Sequence, residues 1–420
     1  MSKNSRGNRP YVRPVTRLEV DQSNVKLRWI LVCVMFAIAI VAFAVGLFDA
    51  LETEPGWQSI NVGSDKPNCG SEFVLAYDFS ASGGNATLLN KELSTKYSNW
   101  CEEAYAIFSP DVSMDGEGNV RAVNASVNRE VTVHPALYDA FALLNEYENR
   151  CLFLAPVYVE YDRLFRSESD PEAEDKDPAK NPEVRSDIEE MMAFIADESM
   201  VSLELLGENR VLLHVAPEYL NYAQENDISE FIDFGWMTNA FAADYLAEQL
   251  SSGGYTDGYL ASYDGFTRNL ARNNQTFHLN LFDLRGKDVY MPAVMEYGGQ
   301  TSLVSLRSYP MDDRDQLNRY VYEDGEIVNA MIDPADGISK RALNNLVSYS
   351  KDYGCAEILL NVIPGYVADT FHAETLNALV ERNIFSIWYE DRTLCHNDAQ
   401  LKVEMLTDTT GNTYQKDLKK

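Results

Sequence analysis

Basic residues are scarce in this chain. Lys and Arg number 35 against 65 Asp and Glu, a formal net charge of −30 at pH 7. Nucleic-acid binding needs cations clustered along a phosphate backbone, so this balance excludes nucleic acid as a partner and fits a solvent-facing domain. The six cysteines contain no Cys-x-x-Cys pair, which removes zinc ribbons and dithiol redox motifs. The five histidines, His134, His214, His278, His372 and His396, show no metal-ligand spacing. There is no Gly-x-Ser-x-Gly elbow, no Ser-His-Asp order and no repeat of fixed period.

Charge is distributed unevenly. Residues 1–28 form a basic tail, with Lys3, Arg6, Arg9, Arg13, Arg17, Lys26 and Arg28 against only Glu19 and Asp21. Trp29 to Phe48 then runs without a charge. As a helix that run is long enough to cross a hydrocarbon core of roughly 30 Å. The basic flank predicts a cytoplasmic N-terminus and an extracytoplasmic remainder, anchored by this single transmembrane helix in the cell membrane. A cleaved signal peptide would typically have a shorter apolar region and a small-residue cleavage site, whereas Leu47, Phe48 and Asp49 follow here. Cys69, Cys101, Cys151, Cys355 and Cys395 lie beyond the run, and a disulfide between two of them is open.

Residues 49–68 are polar, with Pro55, Gly56 and Pro67, and read as a tether. From Ser71 a strand is predicted, then helices over 87–107 and 134–149. Residues 166–190 are acidic and Pro-rich and read as an exposed loop. A helix over 187–196, a hairpin over 201–215 and an amphipathic helix over 237–250 follow. Short strands come next, with a hairpin around Glu323-Asp324-Gly325 and then strand, helix, helix, strand from Leu346 to Tyr389. Residues 396–420 read as a loose polar tail. The mixture indicates an α+β domain, or an α/β one, and excludes a bundle or sandwich. Asn85, Asn124 and Asn274 stand in Asn-x-Ser/Thr triplets, which matter only in a host that glycosylates them.

The order of elements and several short motifs resemble the FAD:protein FMN transferase (ApbE) family over residues 69–395. Phe231 to Leu250 (FIDFGWMTNAFAADYLAEQL) is similar to the family's Asp-Leu-Gly-Gly-Ile-Ala-Lys-Gly-Tyr-Ala-Ala-Asp segment and the helix after it. Gly258 to Leu270 stands at its Asn-Ile-Gly-Gly-Asp strand-turn, and Ile332-Asp333-Pro334 with Gly337 resembles His-Ile-Ile-Asp-Pro-x-x-Gly. Gly70 to Phe73, Phe108-Ser109-Pro110, Asn124 and Phe153 to Val157 fit the remaining segments. The resemblance implies an ApbE-like fold with mixed sheets and flanking helices. It also implies FAD and Mg²⁺ as ligands, and transfer of FMN to a Thr of an extracytoplasmic flavoprotein. It carries flavin-binding roles onto Asp233, Trp236, Asn239 and Asp333, and metal-ligand roles onto Glu357 and Asn361.

The departures weigh against that chemistry. Trp236 replaces the second Gly of its motif, Asn239 the Lys and Ala240 the next Gly. A Trp crowds the backbone approach that glycines allow a phosphate. Ser262 and Asp264 stand for Asn and Gly, and Asp264 would repel a pyrophosphate. Leu306 to Tyr309 replaces Ser-Gly-Asp-Tyr, Ala330 the His and Leu154 the Asp of Phe-Asp-Pro. The Asp and Thr of Ala-Asp-x-x-x-Thr are Glu357 and Asn361, oxygen donors at i and i+4 on one helical face. Ordinary structural roles stand beside these: Asp233 as a helix cap, Asp333 in a turn, Trp236 as a pocket-filling aromatic or a ring that stacks on flavin. Two functions follow. One is a degenerate homologue without efficient catalysis that binds a flavin nucleotide, an extracytoplasmic flavoprotein or another envelope protein. The other is an active transferase. The number of ligand-approach positions altered together favours the first, and catalytic residues are assigned to none of the side chains.

Overall fold

The computed structural model describes residues 56–167, 173–271, 275–407 and 413–419. The chain divides after Thr53, and every described residue belongs to the second unit, Glu54–Lys420. The apolar run 29–48 and its basic flank lie outside the described residues. Among the described residues no helix is long and apolar enough to cross a membrane.

Nine strands make the main sheet. In spatial order they are Trp57–Ile60, Phe73–Asp78, Gly258–Ser262, Phe266–Asn269, Ser302–Arg307, Asn345–Ser350, Phe385–Glu390, Thr393–His396 and Gln415–Leu418. Neighbours pair antiparallel except the last two, which are parallel. The middle of this sheet is covered on both faces. Val304, Leu306, Leu346 and Trp388 enter the main core with the helices Ala86–Phe108, Thr238–Ser252 and Cys355–Tyr366. Leu303, Val347, Tyr349 and Ile387 enter a second core beneath a small sheet of Thr276–Arg285, Asp288–Gly298 and Lys402–Met405. Asn345–Ser350 is therefore buried at all six positions, and its Ser348 satisfies its hydroxyl on that of Ser386 at 2.8 Å. A third sheet, Glu130–Thr132, Arg210–Val215 and Val201–Gly207, accompanies the helices Pro135–Glu146, Ala155–Phe165 and Pro182–Ile195. The fold is α+β with mixed sheets and flanking helices, as expected.

Three expectations are corrected. Within the tether, Trp57–Ile60 is an edge strand that pairs Trp57 with Asp78 and buries Ile60. Four residues are too few to display a period. Within the acidic loop, Pro182–Ile195 is a helix started by Asn181, whose side chain accepts from the Glu183 N–H at 2.9 Å. Ile188, Met191, Met192 and Ile195 bury its inner stripe, so the acidic composition describes only its outer face. Within the polar tail, Lys402–Met405 and Gln415–Leu418 join sheet edges through backbone hydrogen bonds, which need no apolar pattern. The five described cysteines are unpaired and buried.

Candidate functional site

The segment before the Thr238–Ser252 helix is held by Asn124. Its buried side chain accepts from the N–H groups of Phe231 and Ile232 at 3.0 and 3.1 Å and donates to the Ile232 carbonyl at 2.9 Å. This clamp sets Asp233, which accepts from the Gly235 N–H at 3.0 Å while its own N–H donates to the Leu152 carbonyl at 2.9 Å. Burial is the main force on the Asp233 carboxyl, and Glu230, Asp111 and Asp162 add to it; together they push it up to about 6. No cation pairs with Asp233 among the described residues. Gly235 adopts φ +52°, and the Tyr158 ring occupies the space that a Cβ would need. The glycine thus serves a packed tyrosine.

Trp236, Asp264, Leu306 and Ala330, four positions that depart from the family's motifs, line one cavity of about 20 Å³ together with Arg319 and Asn329. This is room for about one water, whereas nucleotide-sized ligands occupy clefts of roughly 300–1,000 Å³. Asn239 donates to Asp264 Oδ2 at 2.9 Å. Arg319 is 6% exposed and donates to Asp315 Oδ1 at 3.0 Å and to the Arg307 carbonyl at 2.8 Å. Trp236 Nε1, Asp264 Oδ1, Arg319 Nε and Asn329 Nδ2 are sealed from solvent without a protein partner. Burial raises the Asp264 carboxyl, against hydrogen bonds from Ser262 and Asn239 that lower it. As these side chains stand, a void of this size does not fit FAD. Two grooves of about 390 and 400 Å³ lie against the small sheet, and neither is lined by any of the six candidate residues.

Asp333 sits in a turn of its own. It accepts from the Ala335 N–H at 2.9 Å, its carbonyl accepts from Gly337 at 2.8 Å, and Lys340 pairs with its Oδ2 at 2.8 Å. Gly337, at φ +71°, lies against Ile188 and Met192, so the turn packs on the Pro182–Ile195 helix.

Glu357 and Asn361 are brought together on the Cys355–Tyr366 helix, as their spacing requires. Asp244, on the Thr238–Ser252 helix, accepts from the first turn's N–H groups of Cys355 and Ala356 at 2.8 and 2.9 Å and is paired with Arg268. Glu357 Oε1 and Asn361 Oδ1 are already engaged. Tyr147 donates to Glu357 Oε1 at 2.9 Å, and Arg382 donates to Asn361 Oδ1 at 2.9 Å, to Tyr147 Oη at 2.6 Å and to Glu357 Oε1 at 3.3 Å. One carboxylate, neutralised by a guanidinium, is a poor donor set for Mg²⁺, which binds through carboxylates and substrate phosphates in octahedral geometry. Among the described residues no group of three His, Cys, Asp or Glu is placed to hold a metal.

The six candidate residues therefore divide. Trp236 and Asn239 meet at Asp264; Asp233 faces the segment of Leu152 and Tyr158; Asp333 is closed by Lys340; Glu357 and Asn361 form a separate cluster. Tyr147, Arg319, Asn329 and Arg382 carry much of the polar geometry and have no motif signature in the sequence.

Solved structures share the fold, two ApbE proteins among them. The ApbE protein of Thermotoga maritima matches with a TM-score of 0.54 and 13% identity, over 83% of this chain and 96% of its own. The flavin transferase ApbE of Vibrio cholerae matches with a TM-score of 0.51 and 13% identity, over 84% of this chain and 97% of its own. No protein-family model and no curated protein matches the sequence. The fold is ApbE-like.

Proposed function

We propose that this chain is a membrane-anchored, extracytoplasmic protein of ApbE-like fold that no longer transfers flavin and acts by binding a protein partner. The partner class is an extracytoplasmic flavoprotein or another protein of the cell envelope. The observation that carries this reading is the cavity of about 20 Å³ on which Trp236, Asp264, Leu306 and Ala330 converge. Each substitution alone would weaken a nucleotide site. Meeting around one void, Trp236 and Leu306 take up volume that a nucleotide would need, Asp264 sets a carboxylate where phosphate donors are wanted, and Ala330 offers no imidazole. Anchoring rests on the uncharged run Trp29 to Phe48 and its basic flank.

Titration of the purified full chain with FAD, with and without Mg²⁺, followed by flavin fluorescence, tests the reading. No binding at millimolar FAD is the expected result, after which partners are sought by crosslinking at the membrane. Metal-dependent binding at micromolar FAD, with FMN release and a labelled Thr acceptor, would establish an active transferase instead.

A further inference from the structure

The hydrogen bonds around Glu357 have a direction that a surface ion pair lacks. Asn361 Nδ2 donates to Tyr147 Oη at 3.0 Å and to the Glu357 carbonyl at 2.8 Å, which turns Oδ1 towards Arg382. Tyr147 Oη donates once, to Glu357, and accepts twice, from Asn361 and Arg382. Three oxygens from three residues thus converge on one guanidinium: a carboxylate, an amide carbonyl and a phenol. The rings of Tyr147 and Tyr353 flank it, each centroid 5.4 Å from the guanidinium carbon. Arg382 closes the short turn Leu379–Arg382, and the next residue, Asn383, adopts φ 57° and donates to Asp352 at 2.8 Å, which fixes the exit of the chain.

We infer that Arg382 is a tethered cation, standing where a divalent ion would otherwise sit between Glu357 and Asn361, so that this oxygen cluster binds no free metal. The charges of Glu357 and Arg382 cancel, which removes the electrostatic attraction that draws a hard cation out of water. An incoming ion of charge +2 would also meet a fixed positive charge within hydrogen-bond reach of the same oxygens. Access is not the obstacle, since the Glu357 side chain is 26% exposed and that of Arg382 40% exposed. Occupation by the guanidinium is. The inference rests, like the proposed function, on the resemblance to the ApbE family, which makes Glu357 and Asn361 the altered metal pair. Its test contains no flavin, so the two fail separately.

Mn²⁺ is the probe, because it takes oxygen ligands as Mg²⁺ does and its free form is counted by electron paramagnetic resonance. The full wild-type chain should show no Mn²⁺ site that Glu357→Gln removes. Arg382→Ala should gain one site per chain, about tenfold or more tighter than any Glu357-dependent binding in the wild type. Arg382→Ala/Glu357→Gln should lose that site, and Arg382→Lys, which keeps the charge, should not gain it. A Glu357-dependent Mn²⁺ site in the wild type overturns the inference. So does a folded Arg382→Ala that gains none, because Arg382 is then an ordinary ion-pair partner. If Arg382→Ala does not fold, the wild-type and Glu357→Gln titrations decide alone.

Discussion

Asn239 donates its side-chain N–H to Asp264 at 2.9 Å, joining two positions that lie 25 residues apart and depart from two different motifs. The Asp264 carboxylate is held by an amide at the position where the resemblance to the ApbE family expects a lysine. The two changes make sense together and poorly apart: a carboxylate at 264 needs a donor, and the amide at 239 supplies one without filling the space a lysine would take.

The first prediction follows from that bond. Asn239→Ala leaves a sealed carboxylate short of one donor and should destabilise the chain by about 1–3 kcal/mol. Asp264→Ala should cost less, because it removes the buried charge along with its acceptor. A double-mutant cycle in urea should show coupling between the two positions. Additive effects would mean that the bond contributes nothing.

Asp233 gives a pH dependence whose sign is fixed by burial. Its carboxyl rises from the ordinary 3.8 to about 6, so the folded chain holds this proton more tightly than the unfolded one. The stabilisation is complete below about 3.8 and is lost as pH rises through about 6. Asp233→Asn keeps an oxygen for the Gly235 N–H and removes the charge. It should raise stability at pH 7 by on the order of 2 kcal/mol and flatten the difference between variant and wild type below about pH 4. Denaturant midpoints of both chains across pH 4 to 7.5 check this; a constant difference over that range contradicts it.

Asp244 links two motif-bearing helices, and its loss should be severe. It caps the Cys355–Tyr366 helix with two hydrogen bonds and pairs with Arg268, which is 27% exposed at its side chain. Asp244→Ala leaves two N–H groups and a guanidinium without their partner, at a cost of about 2–4 kcal/mol. Asp244→Asn should recover part of this, since one oxygen remains to cap. Thermal unfolding of both variants checks the order.

Much of the fold was legible because buried strands and helices display their periods. The Phe73–Asp78 strand buries Phe73, Leu75 and Tyr77 in strict alternation, and the Thr238–Ser252 helix ends where Gly253-Gly254 predicts. Edge strands such as Gln415–Leu418, exposed at all four positions, are held by backbone bonds that no side-chain pattern announces. At the site, each departure from the family's motifs was visible singly. Their convergence was not, because Trp236, Asp264, Leu306 and Ala330 are brought together only by the sheet and the loops that cross it. Arg382 was invisible for a similar reason: it meets Tyr147 from 235 residues away, and neither belongs to a motif.

The last prediction asks what the filled cleft would accept if it were emptied. Trp236→Gly removes the largest side chain at the cavity, and a large-to-small change of this kind costs about 2–4 kcal/mol where the side chain is only partly buried. Volume alone should not restore flavin binding, because Asp264 would still face the phosphates with its charge. Asp264→Gly alone should not either, because Trp236 would still occupy the space. The double variant Trp236→Gly/Asp264→Gly relieves both obstacles, and it should bind FAD or FMN measurably by fluorescence where wild type and both single variants do not. Binding by the Trp236→Gly variant alone would assign the exclusion of flavin to bulk. No binding by a folded double variant would place the obstacle elsewhere, in Leu306 or the Tyr158 ring over Gly235, and the cleft would then be closed by more than the two residues that meet at its centre.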